Sequence, residues 1–293
     1  MRLSTSTNIM DMFPGPPGSV DLEQCLIRCR AAGFQVFDIN FCDQGLPGRY
    51  LACDGWERET ERLRELAQTL GIEFSQSHLE FYNVCDRNTE GWEWREELVR
   101  RGIIASGRLG VKWAVYHGGS VYDHLDYSYA KSRAANLEYV KPHLELAAKA
   151  GPGLAVENVP DKERRRFSGS VEELIDLVDT VDQKNFGICW DFGHAHLARI
   201  DQPYWLGQIG SRLKAVHIAD NNGEWDEHLA PFYGTIDWTA MMRTLKQIGY
   251  QNDLTYEIHN MTRRLPDKLR EVQLKHLLEI GQYLRQIYES AEN

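Results

Sequence analysis

Nine side chains that can hold a metal ion are scattered along this chain one or two at a time: His78, His117, Glu157, Asp191, His194, His217, Asp226, His228 and Glu257. Most sit where a short strand-like run gives way to a loop. Glu157 closes the apolar run GLAVE, Asp191 closes GICWD, and Glu257 lies in LTYEI. A carboxylate in such a place must be paired, protonated or bound to a cation, because a bare buried charge is costly. One of them alone would be satisfied by a buried Arg or Lys. The same arrangement repeated in three runs points instead to a shared cation. His217, in KAVHI, adds an imidazole, and Asp220, Asn221, Asn222, Asp226 and His228 follow it closely. Glu157, Asp191, His217 and Glu257 together form an oxygen-rich set with one nitrogen. Such a set suits a divalent metal, Mn²⁺ best, with Co²⁺, Mg²⁺ or Zn²⁺ also open.

Residues this far apart converge when the strands that carry them close into one sheet. Eight strand-like runs are predicted, at 2–5, 35–39, 73–77, 112–117, 154–157, 186–191, 213–218 and 254–258. Continuous apolar runs such as WAVYH read as strands covered on both faces by helices. Between them, VDLEQCLIRCRAAG, WERETERLRELAQTLG and VEELIDLVDTV have helical period. Gly33 is a stop signal, and Ser168 or Ser170 offers an N-cap. Alternating β and α leaves either an open doubly wound sheet or a closed barrel. Neither G-x-G-x-x-G nor G-x-x-x-x-G-K-[ST] occurs, so the open nucleotide-binding sheet loses its signature. We therefore expect an α/β fold, a (β/α)8 TIM barrel that forms a single domain over residues 1–293. Its metal site should lie at the C-terminal mouth, where barrel enzymes keep their chemistry. PGPPG at 14–18 reads as the first βα loop, and the longer loops after strands 2, 3 and 7 as a substrate lid.

Composition narrows the function classes. Of 293 residues, 42% are apolar and 26% charged, the balance of a soluble globular protein. A net charge of −10 argues against nucleic acid as a partner. No signal-peptide core and no long apolar run occur, so a cytoplasmic protein with no membrane partner is expected. Six cysteines include no C-x-x-C pair and read as reduced thiols. Cys25 and Cys29 share a helix face and should pack.

Other residues carry weaker signals. His78 and His117, with His194, Asp226 and His228, read as substrate-binding groups or holders of a second metal. For His78 and His117 the alternative is a buried histidine bonded to backbone. His196 is as readily a cap. Arg164, Arg165 and Arg166 read as a solvated loop before a clamp on phosphate or carboxylate. Tyr82, Trp113, Trp190, Trp225 and Tyr233 are mostly packing candidates, with stacking on a sugar face as the alternative.

The set VENVP, GICWDFGHAHL, VHIADNNGEWDEHLAPFYGTIDW and YEI resembles the xylose isomerase-like barrel superfamily over nearly the whole chain. That group includes sugar isomerases and epimerases, inosose dehydratase and the endonuclease IV family. The resemblance implies one divalent metal on Glu157, Asp191, His217 and Glu257. It also implies a metal-stabilised enediolate, with Glu157 and Glu257 as the catalytic pair that removes and returns a proton. The substrate would be a small polyol, a sugar or a sugar phosphate. A keto-sugar dehydratase and a non-catalytic sugar-binding barrel are alternatives. So is an endonuclease IV-like phosphodiesterase with a multinuclear zinc site, because all nine of that family's ligand types have counterparts here. Against it stand ENVPDKERRRF, DEHLAPFYG and DFGHAHL, each a departure from that family's pattern. Val159 replaces the Lys of hydride-shift isomerases, which favours proton transfer, and Gly223 replaces an Arg of the ketose 3-epimerases. Relatives of this kind often form dimers or tetramers, so a homo-oligomer is a further expectation.

Overall fold

The computed structural model describes residues 1–11, 20–161 and 164–291. Eight parallel strands close into a barrel: β1 Leu3–Ser6, β2 Val36–Asn40, β3 Glu73–His78, β4 Trp113–His117, β5 Gly153–Glu157, β6 Phe186–Asp191, β7 Leu213–Ile218 and β8 Leu254–Tyr256. Each strand pairs with its successor, and β8 closes on β1 with Leu3 opposite Leu254. A helix follows each strand: α1 Leu22–Ala32, α2 Trp56–Leu70, α3 Trp92–Leu109, α4 Tyr129–Ala150, α5 Val171–Val181, α6 Gln202–Ile209, α7 Trp238–Gln247 and α8 Asp267–Ser290. The expected (β/α)8 barrel is therefore present. All eight predicted runs are strands, with ends displaced by a residue or two. The largest displacement is at the last, which stops at Tyr256 and leaves Glu257 just beyond it. PGPPG at 14–18 lies outside the described residues. The loop after β4 holds a small hairpin, Tyr122–Asp123 against Asp126–Tyr127, which the sequence reading did not foresee.

Local chemistry explains the helix ends. Asp21 caps α1 by accepting from the Gln24 N–H, and Gly33 ends it with φ +119°. Ser170 caps α5 by accepting from the Glu173 N–H, the second of the two serines considered. Cys25 and Cys29 are both fully buried on α1, as expected of packing residues.

Strand alternation decides what enters the barrel. Leu154 and Val156, Ile188 and Trp190, and Val216 and Ile218 join the large core between sheet and helices. Val115, Ala155, Cys189 and Ala215 form a separate small cluster inside the barrel. Side chains two residues apart on a strand share a face. So the positions above that cluster, His117, Glu157, Asp191 and His217, must also point inward at the C-terminal rim. Small residues in the layer beneath leave the rim floored but not plugged.

Candidate metal centre

The rim gathers the carboxylates and imidazoles that the sequence singled out. Donor atoms of Glu157, Asp191, His217 and Glu257 all lie within 4.8 Å of one another. His217 Nδ1 is 3.2 Å from Glu157 Oε1 and 3.5 Å from Glu257 Oε2. Register places His217 beside Asp191 on β6 and Glu157 beside His117 on β4. His117 Nε2 meets Glu157 Oε2 at 2.9 Å and His78 Nε2 at 3.2 Å. Two further groups with metal-holding spacing flank the first: His78 with Glu157 and His217, and His194 with Asp226 and His228. All nine sequence-predicted residues thus sit at one mouth. His196 stands apart, hydrogen-bonded through Nε2 to Thr235 Oγ1.

The centre holds more buried charge than its own contacts satisfy. Glu157, Asp191 and His217 are fully buried, and Glu257 nearly so. Yet Glu157 Oε1, Asp191 Oδ2, both ring nitrogens of His217 and Asp226 Oδ1 have no hydrogen-bond partner. Orphaned buried donors and acceptors are costly and rare. Burial on its own would raise the Glu157 carboxyl, but His217 and His117 outweigh it and hold it well below the usual range. Glu257 behaves alike: burial opposes, and His217, His228 and His78 bring it down to about 2. Asp191 goes the other way, raised by burial to about 6. Clustered carboxylates around open imidazole nitrogens fit a divalent cation.

The supports of these side chains are also in place. Asn158 clamps the start of the β6 loop, donating to Asp191 O at 3.0 Å and accepting from the Asp191 N–H at 2.7 Å. Asp191 Oδ1 accepts from the His194 N–H at 2.6 Å. His194 Nδ1 donates to Asn158 O at 2.9 Å, and His228 Nδ1 donates to Glu257 O at 2.8 Å. Tying Nδ1 to a carbonyl fixes the tautomer and leaves Nε2 as a ligand atom. Both Nε2 atoms face Asp226, at 3.4 and 3.2 Å. His228 holds this pose at φ +45°, an uncommon backbone for a non-glycine residue.

The motif GTIDW now has a physical reading. Asp220 and Leu229 pair across the β7 loop, N–H to carbonyl in both directions. A side chain at Gly234 would strike Asn221 O and Asp220 Oδ1, each 2.4 Å from its Cβ position. The loop can therefore fold tightly over His228 with glycine at that position alone.

The aromatics take several roles, and packing is the commonest, as expected. Trp190 is fully buried on the outer face of β6, and Tyr82 is buried with its hydroxyl on Glu96. Trp113 lies at the opposite end of the barrel, against Gly153. Trp225 is 75% exposed beside Asp226, and Tyr233 is bound to His276. Two rim neighbours were missed. Phe81 is half exposed with its ring edge-on to His117 at 4.5 Å, and His259 stacks on His228 at 4.2 Å. Arg165 pairs with Glu173 at 2.5 Å, and the Arg166 N–H donates to Asp161. Neither reaches the centre as a clamp. Among the described residues no helix is long and apolar enough to cross a membrane.

A family model described as xylose isomerase-like TIM barrel matches residues 26–280. The chain belongs to this family. An uncharacterised protein of Methanocaldococcus jannaschii is 31% identical over 186 residues, 63% of this chain and 62% of that protein. The chain thus spans a little under two thirds of that relative's length. A crystal structure of a D-tagatose 3-epimerase-like protein shares the fold with a TM-score of 0.77 at 23% identity, covering 99% of each chain. The 3-keto-D-glucoside 4-epimerase from E. coli does so with a TM-score of 0.73 at 17% identity, over 95% of this chain and 99% of that one. At these identities the likeness speaks for the barrel.

Proposed function

We propose that this protein is a divalent-metal-dependent isomerase or epimerase of a sugar or sugar phosphate, working by proton transfer at a carbon beside a carbonyl. The convergence of Glu157 and Glu257 on His217 and Asp191 carries the reading. A divalent ion held by these four residues would polarise a carbonyl and its neighbouring hydroxyl as a Lewis acid. Both glutamates are held ionised by the surrounding imidazoles. The same neighbours and a bound cation lower their basicity, so the base would be a loosely held carboxylate oxygen. One takes the proton from carbon and the other returns it, to the opposite face in an epimerase or to the next carbon in an isomerase. His78 and His117 lie beside the Glu157 carboxylate, at 3.6 and 2.9 Å, and would bind substrate hydroxyls. The names of the two structural neighbours agree with this chemistry, and one of them inverts the carbon beside a ketone. In a panel of keto sugars with Mn²⁺, solvent deuterium should enter next to the carbonyl. Glu257→Gln should slow turnover by about 10²- to 10⁴-fold. Full turnover in that variant would sink the proposal.

A second reading has its own observation. The group His194, Asp226 and His228, with both Nε2 atoms freed by backbone bonds, is arranged as a further metal site. So is His78 with Glu157 and His217. A multinuclear zinc centre cleaving phosphoesters would use all three groups. Elemental analysis of protein purified without chelator separates the two. About one Mn, Co or Mg per chain supports the isomerase; two or three Zn per chain supports the phosphodiesterase.

A further inference from the structure

We propose that the groove between α3 and α4 is a second ligand site, taking an anionic sugar, that is, a polyhydroxylated ring bearing a phosphate or a carboxylate. The groove has a volume of about 740 Å³ and is lined by none of the nine residues at the metal centre. That volume is in the range of small-molecule sites, roughly 300–1,000 Å³. Two guanidiniums line it, each on an aromatic face: Arg87 over Trp92 at 5.3 Å and Arg164 over Tyr122 at 5.4 Å. A ring face holds the guanidinium flat and leaves its N–H edges open to an anion.

Three carboxylates also line the groove, Asp86, Glu96 and Glu138, and none closes tightly on either arginine; Asp86 Oδ1 accepts from the Asn88 N–H at 3.0 Å. Arg87 meets Glu138 at 3.7 Å, with both side chains about four-fifths exposed (76% and 80%). Among the described residues Arg164 has no ion pair, whereas its neighbour Arg165 closes on Glu173 at 2.5 Å. Glu96, deeper in the groove, is engaged by Tyr82 and by His143 at 3.4 Å. On a chain of net charge −10, two cations so loosely paired in one polar groove suit an anion. The floor is polar and braced. Asn83 donates to Ser120 O and accepts from the Ser120 N–H, both at 2.9 Å.

The groove is lined by segments that follow residues of the candidate metal centre along the chain. Asn83 and Arg87 lie on the segment that follows His78, Ser120 and Tyr122 on the one that follows His117, and Arg164 beyond Glu157. An occupant here would brace three segments that begin at candidate metal ligands. The proposal stands whether the centre isomerises sugars or cleaves phosphoesters.

Calorimetric titration of the metal-loaded protein with D-glucose 6-phosphate, D-glucuronate, D-glucose and inorganic phosphate tests it. The same titrations are run on the Arg87→Ala, Arg164→Ala double variant and on Glu257→Gln. Both arginines are exposed, so the double variant should fold. At least one anionic sugar should bind, glucose at least tenfold more weakly, and the double variant should lose tenfold or more. Glu257→Gln should bind as the parent does, which separates this site from the centre. No binding of either anionic sugar at millimolar concentration would overturn the proposal. So would binding lost in Glu257→Gln but kept in the double variant. Phosphate binding as tightly as the sugar phosphate would reduce the groove to a plain anion site and overturn the assignment.

Discussion

The Asp220 carboxylate accepts four hydrogen bonds, from the N–H groups of Asn221, Phe232 and Ile236 and from Trp238 Nε1, all between 2.8 and 3.2 Å. Asp220→Ala would strand these donors and should cost about 3 kcal/mol or more in urea unfolding. It should also weaken metal binding, because the same loop carries His228. Asp38 offers a pH test. It is buried on β2, and burial raises its carboxyl to about 6, against the pull of His217. A raised carboxyl favours the fold below its unfolded value, and that advantage is lost as pH rises through about 6. In metal-stripped protein, Asp38→Asn should therefore match the parent at pH 4 and exceed it by roughly 2 kcal/mol at pH 8. Equal stability of the two at pH 8 would refute the shift. Glu157, Asp191, His217 and Glu257 were legible in the sequence because each ends or interrupts an apolar run. Phe81, His259 and Asp38 were not, because nothing in their neighbourhoods marks them until the barrel brings them beside His117, His228 and His217.

At the scale of elements, the two-residue period of the strands did most of the positioning. Sequence reading found several strands because a strand covered on both faces reads as a continuous apolar run, as in WAVYH and GLAVE. It misjudged the end of β8, which stops at Tyr256, where Glu257 interrupts the apolar run. The hairpin after β4 was hidden because YDHLDY is polar and short, with no glycine turn. The aromatics were read mostly as packing, but their exact places were hidden for a related reason. Trp190 and Trp113 lie in strands, but which face and which end each occupies depends on register. Helix packing makes its own prediction. A Cβ on Gly107 of α3 would come within 2.1 Å of Ala150 O at the end of α4, a backbone atom that cannot swing aside. Gly107→Ala should push these helices apart and cost about 1–3 kcal/mol by thermal or urea unfolding, despite the better helix propensity of alanine.

For the whole molecule, a cation bound to the native barrel alone must stabilise it. At a free concentration 100 times the dissociation constant the gain is about 2.7 kcal/mol. Chelation should lower the melting temperature by several degrees, and re-addition of the ion should restore it. A melting temperature indifferent to chelator and to added Mn²⁺ or Zn²⁺ would argue that the rim holds no metal. Closure of the ring by β1 on β8 sets a further condition on when the ion can arrive. The donors are dealt out along the chain from His78 to Glu257, and Leu3 waits for Leu254. During synthesis the early candidate ligands would emerge without the partners needed to complete a coordination shell. A nascent chain should therefore hold the ion loosely, and selection of the correct metal belongs to the finished protein rather than to the growing one.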